Sequence, residues 1–454
     1  MVKGTTNATL GKLLKRVEKI SLRDLAAAAT DKKKTPNEVT ELVASVLAAG
    51  IRAQASSIHI EPRPDGVHIR HRVDGVLGEA QVLPLAVSPV LIAGLKILVH
   101  LPVDETETLP QQAATTITVQ ERPYKLRIAT IPVEDGEKAV VQLNALNGKA
   151  PTLGEIGYWG PNLKSITHAI TKSRGLILLA GPHDAGQAEG AYSLLAHLSS
   201  PDVSIATIED PIIYRIPGAT QTQVNTRIGL NFSIGLQTML RQDANVLMVS
   251  NLRDSESVTL AIEGALSGRL IIAGLYANDA ASALGYLLAA GIEPYLVAHT
   301  LQAIVGQRVV RKLCENCKQI YTPTEPEMIG ILKSLSIRTA VQLQQVRDLE
   351  QLALQEKLVM GASPTTAHAS ITSLYRADEN GCVHCGQTGY KGNVGLYEVL
   401  ENTDVVQRLI MGGATADTIK NQAIQDGMPT IQMDGLVKVL LGMTSADEVV
   451  GATA

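Results

Sequence analysis

The sequence predicts an α/β chain of more than one domain, and three observations carry that prediction. Four short apolar runs, GLILLAG (175–181), VSIATIED (203–210), NVLMVSN (245–251) and RLIIAGL (269–275), alternate with helical periodicity and end in polar or small residues. Apolar strands separated by helices make a largely parallel sheet whose site lies at the strand C-termini. Ahead of them, SSIHIEP and GVHIRHRVDGVL alternate in polarity like half-buried strands joined by the turn Pro64-Asp65-Gly66. Behind them stand two Cys-x2-Cys pairs, Cys314/Cys317 and Cys382/Cys385. At 454 residues the chain also exceeds the ~100–200 of one ordinary domain.

Taken in order, residues 1–36 read as a basic amphipathic arm and linker. Leu10, Leu13, Leu14, Val17 and Ile20 recur at helical spacing, with Lys12, Lys15, Arg16 and Lys19 mostly on other faces. Residues 1–34 hold nine Lys/Arg against Glu18, Asp24 and Asp31, a balance of +6 in a chain whose total is −4. Such a helix suits an anionic membrane surface, a docking partner or local packing on its own protein. Residues 37–152 form a small α+β domain. Its helix over 38–53 lines up Val39, Leu42, Val43, Val46 and Leu47, and further elements fall at 87–100 (helix), 116–120, 124–130 and 138–143 (strands). Leu153 to Asn162 reads as a hinge into a domain over 153–312, which carries the four apolar runs. Residues 313–390 form an insertion bounded by the cysteines. Its polar, Gln/Glu-rich part (325–375), with a helix near 339–357, reads as a solvated protrusion or a docking surface. Residues 391–454 complete the chain as a helical region.

Composition excludes several classes. Near-neutral charge, a pI near 6.2 and thirteen aromatics, with one Trp and one Phe, argue against a nucleic-acid binder. No apolar run reaches the ~18 residues of a membrane span, and no signal peptide opens the chain. Those features, with so few cysteines, fit a soluble intracellular protein. His59 sits on an alternating strand and reads as structural, and no catalytic triad is placed by the sequence.

The turn after the first apolar run holds the candidate site. It reads Gly181-Pro182-His183-Asp184-Ala185-Gly186-Gln187-Ala188, where a phosphate loop would lie between strand and helix. A working loop is Gly-x4-Gly-Lys-Ser/Thr: backbone N–H groups cradle phosphate, Lys neutralises its charge, and the hydroxyl holds Mg²⁺. Both glycines are present, but Gln187 is neutral, Ala188 has no hydroxyl, and Asp184 and Glu189 add negative charge. Two glycines five apart also fit an ordinary strand–helix turn.

Further motifs carry a resemblance. SSIHIEP with RHRVDGVL, TIEDPIIYRIPG, GLNFSIGLQTMLRQDAN, NDAASAL, QRVVRKLCENCK, CVHCGQTGYKGNVGLYEVL and DGLVKVLLGMT follow one another in order. From about residue 37 to the C-terminus the chain resembles the assembly ATPases of type II secretion and type IV pilus systems. The resemblance implies a RecA-like P-loop NTPase motor domain preceded by a small α+β (PAS-like) domain, with a tetracysteine zinc insertion and a helical C-terminus. It also implies a hexameric ring, a platform-protein partner in the inner membrane, and a cytoplasmic location peripheral to that membrane.

The departures fall on the working residues. The family's loop Lys and Thr are Gln187 and Ala188, its catalytic Glu is Asn251, and an earlier Asp of that segment is Asn245. Tyr276 stands for the family His, and Ile213 for a second Glu beside the retained Glu209 and Asp210. Arginines of the first domain are replaced by Ala114 and Gln142, whereas Arg241 and Arg253 are kept. The expectation is therefore a pseudo-ATPase with a vestigial nucleotide site (Gly181, Pro182, Gly186, Gln187, Ala188), no catalytic residues and doubtful ATP/Mg binding. It would join a homomeric ring or one mixed with an active paralogous ATPase. The alternative is an atypical assembly ATPase with weak hydrolysis. The resemblance supports a shared zinc site for Cys314, Cys317, Cys382 and Cys385. Read without it, the spacing also admits free buried pairs or a redox couple.

Overall fold

The computed structural model describes residues 36–103, 109–119, 122–145, 149–356 and 373–453. The basic arm read from residues 1–36 lies outside them except for Pro36, as does the stretch 357–372 of the insertion. The chain divides into two compact units between residues 148 and 149.

The first unit contains helices α1 (Pro36–Arg52) and α2 (Ser88–Leu98) and seven strands. These are β1 (Ser57–Arg63), β2 (Gly66–Val73), β3 (Val76–Leu77), β4 (Gln81–Leu83), β5 (Gln111–Val119), β6 (Arg122–Val133) and β7 (Gly136–Ala145). They pair antiparallel in the order β3-β2-β1-β7-β6-β5, with β4 also on β2. Alternation decides the two faces. Ile58, Ile60, Ile69, Leu126, Ile128 and Val141 are buried together with Leu42, Val46, Leu47, Leu91 and Leu95 of the helices. Of the opposite set, Glu61 takes ion pairs from Arg63, Arg70 and Lys138 at 3.3, 2.6 and 2.9 Å.

The second unit is built on a seven-stranded sheet. Its strands are β8 (Gly175–Gly181), β9 (Ile205–Glu209), β10 (Ala219–Gln223), β11 (Val246–Val249), β12 (Leu270–Tyr276), β13 (Leu301–Leu313) and, after the separate antiparallel pair β14 (Gln319–Tyr321) and β15 (Leu374–Arg376), β16 (Tyr390–Glu401). The order is β10-β9-β11-β12-β8-β13-β16, parallel throughout except for β13 with β16. Every residue of β8 is buried, which explains its unbroken apolar run. Leu176, Leu178 and Ala180 pack into one core with Leu236, Val258 and Leu284, and Ile177 and Leu179 into another with Ile166, Leu194 and Leu195. Those partners lie on α3 (Gly160–Thr171), α4 (Gln187–Leu198), α5 (Phe232–Met239), α6 (Ser255–Leu266) and α7 (Ala280–Ala289), giving helices on both faces of the sheet.

Two stretches differ from their sequence expectation. Leu153, Tyr158 and Trp159, read as a hinge, are buried in the second unit. The Trp159 indole N–H donates to Asp434 at 2.8 Å, and the Tyr158 ring stacks on Tyr397 with centroids 3.7 Å apart. The insertion is also more than a solvated protrusion. After α8 (Pro294–Thr300), α9 (Glu325–Ser334) and α10 (Ala340–Gln355) follow, and Leu335, Ile337, Val346 and Ala353 join a core with Leu396 and Leu436. Val346 and Ala353 lie seven residues apart on one face of α10, and Leu335 and Ile337 come from the link between α9 and α10, so a few apolar positions among many glutamines suffice. Among the described residues no helix is long and apolar enough to cross a membrane.

Candidate nucleotide site and four-cysteine centre

The strand-to-helix turn forms at the C-terminal end of β8, at the middle of the sheet. Gly186 takes a left-handed conformation (φ +81°) at the N-cap of α4, and a Cβ there would lie 2.8 Å from Val309 Cγ2, so both backbone and space require glycine. Ala185 is buried, and its carbonyl accepts from the side-chain amide of the fully buried Gln307 at 3.0 Å. Gln187, the first residue of α4, turns back on the sheet. Its Nε2 donates to the carbonyls of Leu275 (2.8 Å), Gly181 (3.1 Å) and Leu179 (3.4 Å). The amide is thus consumed by strand ends, and residues 181–188 contain no Lys or Arg.

The groups around the turn add negative or neutral surface. Burial, with the Asp184 charge beside it, pushes the Glu189 carboxyl above its ordinary range. His183 and Asp184 are exposed and approach at 2.9 Å, and His183 stacks on Tyr276 with centroids 6.2 Å apart. Tyr276 lies opposite Gly181 in the β8–β12 register, half exposed. Asn251 follows β11, only 7% exposed, and its Oδ1 is without a hydrogen-bond partner among the described residues. Asn245 braces the sheet instead, its Oδ1 accepting from the Ser204 N–H at 2.8 Å.

Glu209 is 1% exposed and accepts from the hydroxyls of Tyr192 and Thr207 and from Gln221. Burial beside Glu209 pushes the Tyr192 phenol up, so it remains a protonated donor. The Tyr192 hydroxyl in turn accepts from the Ile213 N–H at 2.8 Å. Asp210 meets Arg253 at 3.9 Å, and that guanidinium lies over the Phe232 ring at 5.1 Å. Arg241 is exposed. The turn residues and Tyr276 are therefore adjacent, whereas Glu209 points into protein. Ala114 and Gln142 lie in the first unit, on either side of Arg127 in one cross-strand row. Sequence reasoning missed Gln307 and Tyr192. Their signals were a polar amide inside the apolar run AIVGQRVV and one of few aromatics on a helix face.

The four cysteines converge at the outer ends of β13 and β16. Their sulfurs all lie within 4.8 Å of one another, with Cys314–Cys382 at 3.7 Å, Cys317–Cys385 at 3.9 Å and Cys382–Cys385 at 3.7 Å. Thiolates about 2.3 Å from a tetrahedral zinc are about 3.8 Å apart, so the set fits such an ion. Burial opposes ionisation of Cys385, but N–H groups of Cys382 and Gly389, helped by neighbouring thiols, bring it down to about 6. Backbone donors at 3.1 and 3.2 Å are the support a ligating thiolate needs.

A largely parallel sheet with a glycine turn at an interior strand, preceded by an α+β unit, is the architecture of RecA-like secretion motors. Solved structures share it. The ATPase DotB of Legionella pneumophila matches with a TM-score of 0.60 at 16% identity, over 89% of this chain and 93% of that one. The pilus retraction motor PilT with bound ADP matches at 0.52 and 17%, over 86% and 95%. The family described as Type II/IV secretion system protein matches residues 32–451, and the chain belongs to it. Among its relatives, the type IV pilus assembly ATPase PilB of Thermus thermophilus is 34% identical over 99% of this chain. The type II secretion system protein E of Aeromonas hydrophila is 32% identical over 91% of this chain and 75% of its own length. The chain spans 48% of the Thermus protein's length.

Proposed function

We propose that this chain is a non-catalytic subunit, a pseudo-ATPase, of the motor ring of a type IV pilus assembly or type II secretion system. The observation that carries the proposal is the Gln187 amide, spent on three backbone carbonyls where phosphate chemistry needs an ammonium. Loss of one preorganised charge at a transition state costs about 3–4 kcal/mol, a factor of roughly 10²–10³. Ala188 offers no hydroxyl to Mg²⁺, and the Asn251 amide cannot act as a base on water. Such losses do not add linearly, but they fall on charge neutralisation, metal binding and water activation separately.

In this reading the subunit enters a hexameric ring, homomeric or mixed with an active paralogous ATPase, and contacts the inner-membrane platform protein. It works at the cytoplasmic face of that membrane, where the basic arm meets anionic surface, and it takes no nucleic acid. Names of relatives as pilus assembly ATPases and secretion proteins support the machine, not the loss of activity. Cys314, Cys317, Cys382 and Cys385 hold zinc. When bound, the ion supplies a redox-inert cross-link between two strands. Metal analysis of the purified chain should return one zinc per chain, and a metal-free folded protein would remove this assignment.

The intact backbone of the turn favours a second reading, an assembly ATPase with weak hydrolysis. Phosphate release separates the two. The pseudo-ATPase gives none above the protein-free rate, whereas steady release that a turn substitution abolishes supports the second reading.

A further inference from the structure

We propose that the phosphate turn is latched by the chain's own side chains and keeps one conformation whether or not nucleotide is offered. The inference rests on the pseudo-ATPase reading and adds to it a claim about motion. Three elements hold the turn. From β12, the Leu275 carbonyl accepts from Gln187 at 2.8 Å, and the Ala277 N–H donates to Gly181 O at 3.3 Å. From β13, the buried Gln307 amide grips the Ala185 carbonyl at 3.0 Å, and Val309 fills the space beside Gly186. From β8 itself, Leu179 and Gly181 accept from the same Gln187 amide. His183 stacked on Tyr276 closes the outer edge.

A switching loop needs two arrangements of similar free energy, biased by a ligand that binds one better. A lysine at the first helical position can trade strand carbonyls for phosphate oxygens, because its charge gains from the exchange. A neutral amide gains little from phosphate and would abandon the strand carbonyls that its two N–H groups already bond. Gln187 therefore stabilises one arrangement and removes the reason to leave it. The site becomes a fixed brace between β8 and β12, and a ring position carrying it transmits no nucleotide-driven motion of its own.

Hydrogen exchange on the full chain tests this over the first turn of α4 (187–191) and the β12 exit (275–278). In the unsubstituted chain both stretches should be protected without ligand and unchanged by millimolar Mg-ATP. Gln187→Ala should speed exchange there about tenfold while β11 (246–249) stays unchanged. Gln187→Asn, which keeps an amide but falls a methylene short, should do the same and covers a failure of the first variant to fold. If neither variant alters exchange and Mg-ATP does not bind, the latch is overturned and the pseudo-ATPase reading stands. If Mg-ATP binds and slows exchange in the unsubstituted chain, the latch is overturned, and the pseudo-ATPase reading falls with it only if phosphate is released above the protein-free rate.

Discussion

At position 187, the difference between an ammonium and an amide decides where the side chain spends its hydrogen bonds. Gln187 donates into the sheet, and residues 181–188 offer no positive charge. Restoring the charge should restore part of the affinity. Gln187→Lys with Ala188→Thr is expected to strengthen Mg-ATP binding at least about tenfold by calorimetry, one charge-assisted contact being worth roughly 1.5–3 kcal/mol. Turnover should stay absent until Asn251→Glu is added, because no base orients water without it. Glu209 illustrates a retained residue in a purely internal role. Tyr192→Phe would strip a donor from its buried carboxylate and an acceptor from the Ile213 N–H. Thermal or denaturant unfolding should show a loss of about 1–3 kcal/mol.

Among elements, β8 was readable from sequence because burial on both faces leaves a continuous apolar run, and its closing glycine announced the turn. What the turn does was not readable. The carbonyls taken by Gln187 belong to two strands, Leu275 lies 88 residues from Gln187 in sequence, and only the sheet order brings them together. The same holds for α10, whose buried face is three residues, Val346, Glu350 and Ala353, in a glutamine-rich helix. The cysteines were legible as pairs, and the β13–β16 pairing explains how 64 intervening residues still yield one cluster. Cys382→Ser should lower bound zinc and the unfolding temperature together, whereas chelation should leave the substituted chain's melting unchanged. In the first unit, burial opposes the charge of Glu61, but hydrogen bonds from Lys138 and Arg70 outweigh it and hold the carboxyl at about 2. A depressed carboxyl stabilises the fold above its unfolded value of about 4.5, and that contribution is lost as pH falls through about 2. Protection of β1 and β2 against hydrogen exchange, taken relative to the intrinsic exchange rate at each pH, should therefore fall between those limits as pH is lowered, and Glu61→Gln should flatten the dependence.

For the whole molecule, the charge pattern and the fold describe one kind of subunit. A chain of −4 carries +6 in its first 34 residues, so its positive charge is local rather than general. In the ring proposed for it, the altered turn would supply a position that need not cycle. Such a subunit should bind an active paralogue more tightly than nucleotide, with complex formation visible by sizing and weakened by salt. A motor fold without motor chemistry makes one demand on nucleotide: it neither binds saturably nor is hydrolysed. Titrating the full chain with Mg-ATP in a calorimeter, and then assaying the same sample for released phosphate, tests it most directly. The expected result is no saturable heat and no phosphate above the protein-free rate. Saturable binding with steady phosphate release, abolished by Gly186→Val, would contradict it.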